Sequence, residues 1–121
     1  MINKNYIRKI VDYCNENPMF RAGVFVKSRR SILMICDLIN IENDVENHEI
    51  CLNIVSGRGI VKFTNGSTLL IGIANEYNMA GQRFHVALVD DDVRKDIVHD
   101  YLAPCMCLNN PDVQLNGIIF V

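Results

Sequence analysis

The sequence has no tryptophan, and aromatic residues make up only 7% of it. Proteins that hold single-stranded nucleic acid commonly stack the bases on aromatic rings. The basic residues are scattered and the formal net charge is −2, so no basic cluster marks a surface for duplex DNA or RNA. Both observations argue against direct binding of nucleic acid.

Long apolar runs are also missing. A membrane-spanning helix needs about 20 consecutive apolar residues, and no apolar run in this sequence approaches that length. The first five residues, MINKN, are largely polar and do not resemble a signal peptide. We therefore expect a cytoplasmic protein with no membrane partner.

No cysteine pair has the spacing of a zinc site. The five cysteines are an odd number, and reduced, buried thiols are the usual state in a chain without an export signal. Cys105 and Cys107 are one residue apart with His99 nearby, whereas zinc ligands are usually separated by about two to four residues. The cysteines favour packing roles over a metal centre.

The spacing of the apolar residues predicts an α/β fold in a single domain over residues 1–121. The predicted elements are an amphipathic helix over 3–17, a strand over 22–26, a helix or strand over 32–39, a strand over 50–55, a hairpin over 60–73, a strand over 85–89, a helix over 93–102 and a buried strand over 117–121. Residues 40–49 and 74–80 are predicted to be exposed connections, and 56–59 a turn. The expected architecture is a small mixed sheet with helices packed on it.

The hairpin has the clearest local signal. Val61 and Phe63 alternate with polar residues on the first strand, and Asn65-Gly66 follows them. This dipeptide accepts the positive φ angles of a type I′ turn. We expect a two-residue type I′ turn at this point.

The apolar run at 85–89 ends abruptly in Asp90, Asp91 and Asp92. A strand buried on both faces presents such residues at its carboxyl end, where open α/β sheets bind ligands. Asp90 and Asp91 are therefore candidates for holding a metal ion or a metal-bound water. Asp92 is also placed to cap the helix that follows.

A second candidate lies in residues 22–39, where a strand, a short basic turn and an apolar helix outline a phosphate-binding βα unit. Arg29 and Arg30 at the helix start are candidates for binding an anion. The alternative is that both side chains are simply exposed to solvent. The motif G-x-x-x-x-G-K-[ST], whose glycines let backbone N–H groups cradle phosphates, occurs nowhere in the sequence.

The order of the pieces from 57 to 121 resembles the ATPase domain of phage terminase large subunits. The resemblance rests on residues 63–67 (FTNGS), 81–91 (GQRFHVALVDD), 100–104 (DYLAP) and 117–121 (GIIFV). It implies that Asp90 ligates Mg²⁺ through water and that Asp91 stands where the family has a catalytic Glu. Asp is one methylene shorter, and without a phosphate loop nothing would hold the nucleotide.

We therefore expect a small phage- or prophage-derived protein, terminase-like but catalytically degenerate, without a cofactor. It would act in the host cytoplasm by binding another protein or a ribonucleoprotein, for example as an anti-defence inhibitor of the anti-CRISPR type. Acidic loops can mimic nucleic-acid charge. The candidate contact residues are Glu42, Asp44, Glu46 and Glu49, with Asn75, Glu76, Tyr77, Asn78 and Arg83.

Two alternatives stay open. An ATPase or metal-dependent hydrolase fragment would use the pair Asp90 and Asp91, with His85 as a further candidate group. A homo-oligomer would form if an edge of the hairpin or the C-terminal strand paired with a second copy.

Overall fold

The structure of the protein, a computed structural model, is described over residues 4–42, 48–53, 57–108 and 117–121, with the backbone alone for 40–42 and 48–53. The helices are α1 (Lys4–Glu16), α2 (Arg29–Glu42), α3 (Glu76–Met79) and α4 (Lys95–Ile97), which continues as a π-helical turn, Val98–Leu102, and a 3₁₀ turn, Ala103–Cys105. The strands are β1 (Arg21–Val26), β2 (His48–Asn53), β3 (Arg58–Phe63), β4 (Thr68–Ile73), β5 (Val86–Val89) and β6 (Gly117–Phe120). No helix in these residues is long and apolar enough to cross a membrane.

The strands form one mixed sheet in the order β2-β3-β4-β1-β5-β6. β2, β3 and β4 are antiparallel neighbours. β4, β1, β5 and β6 are parallel neighbours. This mixed α/β sheet confirms the predicted fold class, including the hairpin.

One face of the sheet is covered by α1 and α2. The apolar stripe of the predicted amphipathic helix packs on this face: Ile7, Ile10, Val11 and Cys14 are buried, and Tyr6 is partly buried. The buried residues of α2 are Ile32, Ile35, Cys36 and Ile39. This spacing follows the helical period, so the run that the sequence left open between helix and strand is a helix.

The opposite face is covered by α3 and the helical segment 95–105. Met79, Val98 and Leu102 pack there against strand residues such as Phe25 and Val89. β1 and β5 therefore lie at the centre of a three-layer structure and are buried on both faces.

Gly23 in β1 makes room for one of the covering side chains. A Cβ at this position would lie 3.1 Å from the ring of Phe84 and 2.9 Å from that of Phe25. The two rings meet edge to face, with their centroids 5.7 Å apart. The absent side chain lets Phe84 lie directly on the strand.

The hairpin turn differs from the predicted type I′ turn. The Phe63 N–H donates to Ser67 O, and the Gly66 N–H donates to Phe63 O. Gly66 has φ +87°, whereas Asn65 is not among the described residues with positive φ. The loop therefore has three residues, a type I turn followed by a left-handed glycine. Asn65 keeps a negative φ because its side chain is engaged, donating to Cys14 O at 2.7 Å.

Several predicted connections prove to be regular structure. α2 continues to Glu42 and β2 begins at His48, so both ends of the predicted connector are regular structure, and its residues 43–47 lie outside the described part. β3 begins at Arg58, within the predicted turn. α3 occupies the predicted loop 74–80, because Asn75 accepts a hydrogen bond from Asn78 N and so caps a short helix.

The predicted capping role of Asp92 is wrong. The helix begins two residues later than the pattern suggested, with Arg94 at its N-cap and no side-chain capping bond. Asp90, Asp91 and Asp92 instead form a tight turn, closed by the Val93 N–H donating to Asp90 O at 3.0 Å. The turn includes Val93, the residue at which the helical period had placed the start of the helix.

Among the described strands, β2 and β6 are the edges of the sheet. The hairpin is covered by β2 on one side and by β1 on the other, so it offers no free edge. β6 is only half-buried, and Phe120 is 43% exposed. The prediction of a buried C-terminal strand is therefore corrected to a partly exposed edge strand.

Candidate functional site

The carboxyl ends of four parallel strands, β4, β1, β5 and β6, meet at one edge of the sheet. We call this the carboxyl edge. Ligands of open α/β sheets bind outside such an edge, where loops from neighbouring strands converge. The residues that leave the strands there are Ala74 after β4, Lys27 after β1, Asp90 after β5 and Val121 after β6.

Asp90 and Asp91 stand at this edge in different surroundings. Asp90 is 3% exposed, and its N–H donates to Phe25 O of β1 at 3.0 Å. The N–H of Asp91 donates to Val121 O at 3.0 Å, while its side chain is exposed. The two main-chain bonds tie the acidic turn to both neighbouring strands, which fixes the position of the carboxylates.

The connection between β1 and α2 is only Lys27-Ser28. A phosphate loop has eight residues with glycines at both ends of its curve, because several backbone N–H groups must turn toward one anion. Ser28 instead caps α2 itself: its Oγ accepts the Ser31 N–H at 3.3 Å and lies 3.1 Å from Ser31 Oγ. A donor that a bound phosphate would use is thus engaged by the chain's own hydroxyl.

Arg29 and Arg30 are the first two residues of α2, and both are exposed. The first turn of α2 contains no acidic residue. Cations at a helix N-terminus are disfavoured by the helix dipole by about 0.3–1 kcal/mol each. The pair is therefore placed where an anion would relieve an unfavourable charge arrangement.

A cavity of about 160 Å³ opens at the carboxyl edge between these elements. It is lined by Lys27, Ala74, Asp92, Val93, Arg94 and Ile97. Lys27 and Arg94 were not singled out from the sequence. The sequence gives little indication that these two residues line a site, since each is a single basic residue at the end of an element.

The residues at the edge do not form a complete metal site. Within the described residues there is no group of three or more His, Cys, Asp or Glu side chains able to hold a metal ion. Mg²⁺ is commonly held by one or two carboxylates together with substrate phosphates. Because the short β1–α2 connection provides no phosphate cradle, the donor set of the described chain does not fit a resident Mg²⁺.

His85 lies at the other end of β5 from the acidic turn. Five residues of extended chain separate it from Asp90, which is roughly 16 Å at about 3.3 Å per residue. Its Nδ1 accepts the Arg21 N–H at 3.0 Å, and its ring stacks on Phe20 with the centroids 4.7 Å apart. His85 therefore joins two strands and shares no site with Asp90 and Asp91.

Cys14, Cys36 and Cys105 are buried free thiols, as the sequence predicted, whereas Cys107 is not. The Sγ of Cys105 is buried and donates to Met79 O at 3.0 Å. Cys107 is exposed, and its Sγ accepts from Arg83 Nε at 3.4 Å. His99 is exposed, and its Nδ1 lies 3.1 Å from Asp100 Oδ1.

The predicted acidic contact segment falls mostly outside the described residues. Glu42 ends α2 and Glu49 lies in β2, both with only their backbone described, while Asp44 and Glu46 lie outside the described residues. Glu49 is the register partner of Lys62 on β3.

The second predicted contact segment contains both exposed and buried residues. Glu76, Tyr77 and Arg83 are exposed, with Tyr77 at 67%. Asn78 is fully buried, because its Nδ2 donates to Ile73 O at 2.8 Å and to Gly57 O at 3.3 Å. Asn75 caps α3. The two asparagines therefore hold the helix in place, and the exposed three form what we call the α3 surface.

Comparison with known proteins identifies the fold class. No family model and no curated protein matches the sequence. The ATPase domain of the large terminase of Thermus phage P74-26 is similar in structure over 97% of this chain, with a TM-score of 0.61 and 10% sequence identity. The large terminase of a second thermophilic bacteriophage is similar over 94%, with a TM-score of 0.60 and 11% identity.

This chain spans 53% of the first of these structures and 29% of the second. At such low identity the likeness shows the fold alone. The resemblance to terminase ATPase domains is therefore confirmed as a resemblance of fold. With 97% of the chain covered, the likeness also extends beyond residues 57–121, on which the sequence comparison rested, to the helices and strands that precede them.

Proposed function

We propose that this chain is a terminase-like phage protein that does not hydrolyse ATP and acts by binding another macromolecule. The observation that carries the proposal is the two-residue connection Lys27-Ser28 between β1 and α2. Phosphoryl transfer depends almost entirely on positioning the phosphates and their metal ion. A chain without a phosphate loop at this connection lacks the means to do so.

The acidic turn supports the same proposal. Terminase-like catalysis would need a carboxylate that reaches a water molecule next to the γ-phosphate. Asp91 is shorter than the Glu that the resemblance places at its position, and its side chain is exposed to solvent. A general base has to be within hydrogen-bond reach of the water that it activates.

The partner that we propose is a protein or a ribonucleoprotein of the host cytoplasm, and an anti-defence inhibitor is one concrete form. The α3 surface supports this choice because it combines an exposed aromatic ring, an acid and a guanidinium. Tyrosine and arginine are enriched among the residues that dominate protein interfaces. The acidic residues of 42–49 would extend the contact toward a basic partner.

Titration calorimetry with ATP and Mg²⁺ tests the first half of the proposal. We expect no saturable heat and no phosphate release, in the wild type or in Asp90→Asn. Micromolar binding or turnover that Asp90→Asn abolishes would overturn it. An Asp100→Asn variant, which alters an exposed acid away from the carboxyl edge, is the matched control.

Variants of the contact surfaces test the second half. The partner is captured from a phage-host extract, purified and titrated against the wild type, a Glu76→Lys/Tyr77→Ala variant and a Glu42→Lys/Glu49→Lys variant. We expect at least one of the surface variants to weaken binding about tenfold or more, as loss of an interface anchor does. The control is Asp12→Lys on the outer side of α1. Unchanged affinity in both surface variants would overturn the proposed surfaces.

A second candidate function is a metal-dependent ATPase or hydrolase fragment. The observation in its favour is the cavity at the carboxyl edge, where Lys27 and Arg94 face the same space as Asp92. Two cations and an acid suit a phosphate with a bound divalent ion. The same titration decides between the two functions, because only this candidate requires ATP and Mg²⁺ to bind together.

A further inference from the structure

A second groove lies on the face of the sheet that α3 covers in part. Its volume is about 190 Å³. It is lined by Arg21, Arg58, Ile60, Lys62, Thr68, Leu70, Gln82 and Phe84. Arg21, Lys62 and Thr68 lie at the edge of the sheet opposite the carboxyl edge, whereas Arg58 is the register partner of Gly72 near the carboxyl end of β4. No residue lines both this groove and the cavity at the carboxyl edge. We call it the basic groove.

Strand register explains why the groove is polar at one end and apolar in the middle. Thr68 of β4 has Lys62 of β3 as its partner on one side and Arg21 of β1 on the other. These three residues form a row across neighbouring strands. Adjacent strands are about 4.8 Å apart, so the two cations stand roughly 10 Å apart at their Cα atoms, with a hydroxyl between them.

The next row on the same face is apolar. Leu70 pairs with Ile60 on β3 and with Gly23 on β1. Because Gly23 has no side chain, Phe84 occupies the space above it. Leu70 and Phe84 are buried and form the floor of the groove. This floor suits a flat apolar or aromatic group.

Arg58 closes the far end of the groove and is held in place. Its Nη2 donates to Tyr77 O at 3.3 Å, and its Cζ lies 5.2 Å from the centroid of the Tyr77 ring. Its Nε is buried and has no hydrogen-bond partner among the described residues. The guanidinium forms charge-assisted hydrogen bonds to an anion through those of its N–H groups that face the groove.

No acidic side chain lines the groove among the described residues. One acid is nearby by register, since Glu49 of β2 is the partner of Lys62. Arg21 and Arg58 are therefore the cations on which the inference rests. Arginine binds phosphate and carboxylate through two parallel hydrogen bonds, which favours these oxyanions over halides.

We propose that the basic groove binds a small organic phosphate. The phosphate lies over Thr68 between Arg21 and Lys62, and an apolar or aromatic body rests on Leu70 and Phe84. A second anionic or acceptor group of the ligand meets Arg58. The three contacts select a molecule that is charged at both ends and apolar between them.

Two model ligands test this arrangement in titration calorimetry with the full chain: phenyl phosphate and 4-carboxyphenyl phosphate. We expect saturable binding of both, with the carboxylated ligand about tenfold tighter, as a charge-assisted bond to Arg58 provides. Phenol, which lacks the phosphate, is expected not to bind. Amide chemical-shift changes on ligand addition are expected at Leu70 and Phe84.

Three variants localise the binding. Arg21→Ala is expected to weaken both ligands about tenfold, whereas Arg58→Gln removes only the advantage of the carboxylated ligand. The matched control is Lys9→Ala, which removes an exposed cation of α1 on the other face of the sheet. It is expected to leave the affinities unchanged. Far-ultraviolet circular dichroism of each variant verifies that it is folded.

Four results would overturn the proposal: no saturable binding of either ligand, affinities that Arg21→Ala leaves unchanged, an equal loss in Lys9→Ala, or no advantage of the carboxylated ligand in the wild type. A ten-nucleotide single strand is titrated in parallel. If it bound more tightly than both model ligands and lost affinity in Arg21→Ala, the groove would be a nucleic-acid site instead.

Discussion

Ser67 is a buried hydroxyl that joins three segments of the chain. Its Oγ donates to Asn17 O at 2.6 Å and accepts the Phe20 N–H at 2.9 Å. Its own N–H donates to Asn65 Oδ1 at 3.0 Å. The residue thus links the hairpin loop to the end of α1 and the entry to β1, which lie 50 and 47 residues earlier in the chain.

Ser67→Ala is therefore expected to destabilise the protein. The substitution leaves a buried N–H and a buried carbonyl without their partner, which costs about 2 kcal/mol of unfolding free energy. Urea unfolding followed by circular dichroism measures the change. Thr64→Ala, at an exposed position of the same loop, is the control and is expected to change stability by less than about 0.5 kcal/mol.

His85 makes the stability of the fold depend on pH. Burial lowers the pKa of His85 below its ordinary value of 6.5, and the Arg21 N–H is bonded to the neutral ring at Nδ1. In the unfolded chain the ring takes up a proton as the pH falls through 6.5, while the folded protein still resists it. The stabilising contribution is complete above that pH and is lost as the pH falls toward the folded pKa.

As the pH is lowered from 7.5 to about 5, we expect the urea midpoint of the wild type to decrease more than that of His85→Asn. The asparagine keeps a hydrogen-bond acceptor but does not titrate. His99→Gln is the control, because His99 is exposed. A wild-type slope equal to that of His85→Asn would contradict the role of this ring. The carboxylates also make stability depend on pH, but both proteins contain the same carboxylates, so their effect cancels in the difference between the two slopes.

At the scale of elements, α3 shows how a four-residue helix is kept on a sheet. Isolated helices of this length are unstable in water. Asn75 caps the helix, and the side chain of Asn78 reaches back to two carbonyls, Ile73 O and Gly57 O. Met79 adds a fully buried apolar side chain. The helix therefore forms because of its tertiary bonds.

Asn78→Ala is expected to lower the unfolding free energy by about 1–2 kcal/mol. Two carbonyls lose their donor, and the loss is partly offset because the buried Oδ1 of Asn78 itself lacks a partner among the described residues. The measurement is urea unfolding, with exposed Glu76→Ala as control. Equal stability of Asn78→Ala and the wild type would show that the asparagine does not hold the helix.

The same elements show what the sequence could and could not predict. Long periodic segments such as α1 and the alternation of the hairpin were predictable, because their apolar spacing reports directly which side is buried. α3 was not, since its four residues carry no period and depend on Asn78 meeting distant carbonyls. The turn at Asn65-Gly66 was predicted as type I′ and is a type I turn followed by a left-handed glycine, because the Asn65 side chain is hydrogen-bonded to the end of α1.

The candidate site was predicted in part for a similar reason. Asp90 and Asp91 were found because an apolar strand ending in acids is a local signal. The groove of Arg21 and Arg58 was not, because these residues are 37 positions apart in the numbering of the chain and meet only through strand order. That order depends on long-range pairing, which local patterns do not encode.

At the scale of the whole molecule, the strands at the centre of the sheet are more deeply buried than the described edge strand β6. β1 and β5 are buried on both faces and flanked on both sides, whereas β6 is a half-buried edge. Local opening requires less free energy where fewer contacts break.

Hydrogen–deuterium exchange is expected to follow this order. Peptides covering β1 and β5 should exchange last, and peptides covering β6 should exchange earlier by a factor of about ten or more. If a second copy paired with the β6 edge, the protection of β6 would rise with protein concentration. Exchange measured at two concentrations therefore tests the homo-oligomer as well.

The environment of the thiols has a practical consequence. Burial raises the pKa of the Cys14 thiol to about 12 and raises the pKa of Cys36 and Cys105, and thiolates are the form that reacts with maleimides. Among the thiols whose side chains are described, Cys107 alone is exposed. A fluorescent dye attached to Cys107 would lie beside Arg83. Arg83 lies in sequence between Gln82 and Phe84, which line the basic groove. The emission of the dye would therefore change when a ligand binds in the groove.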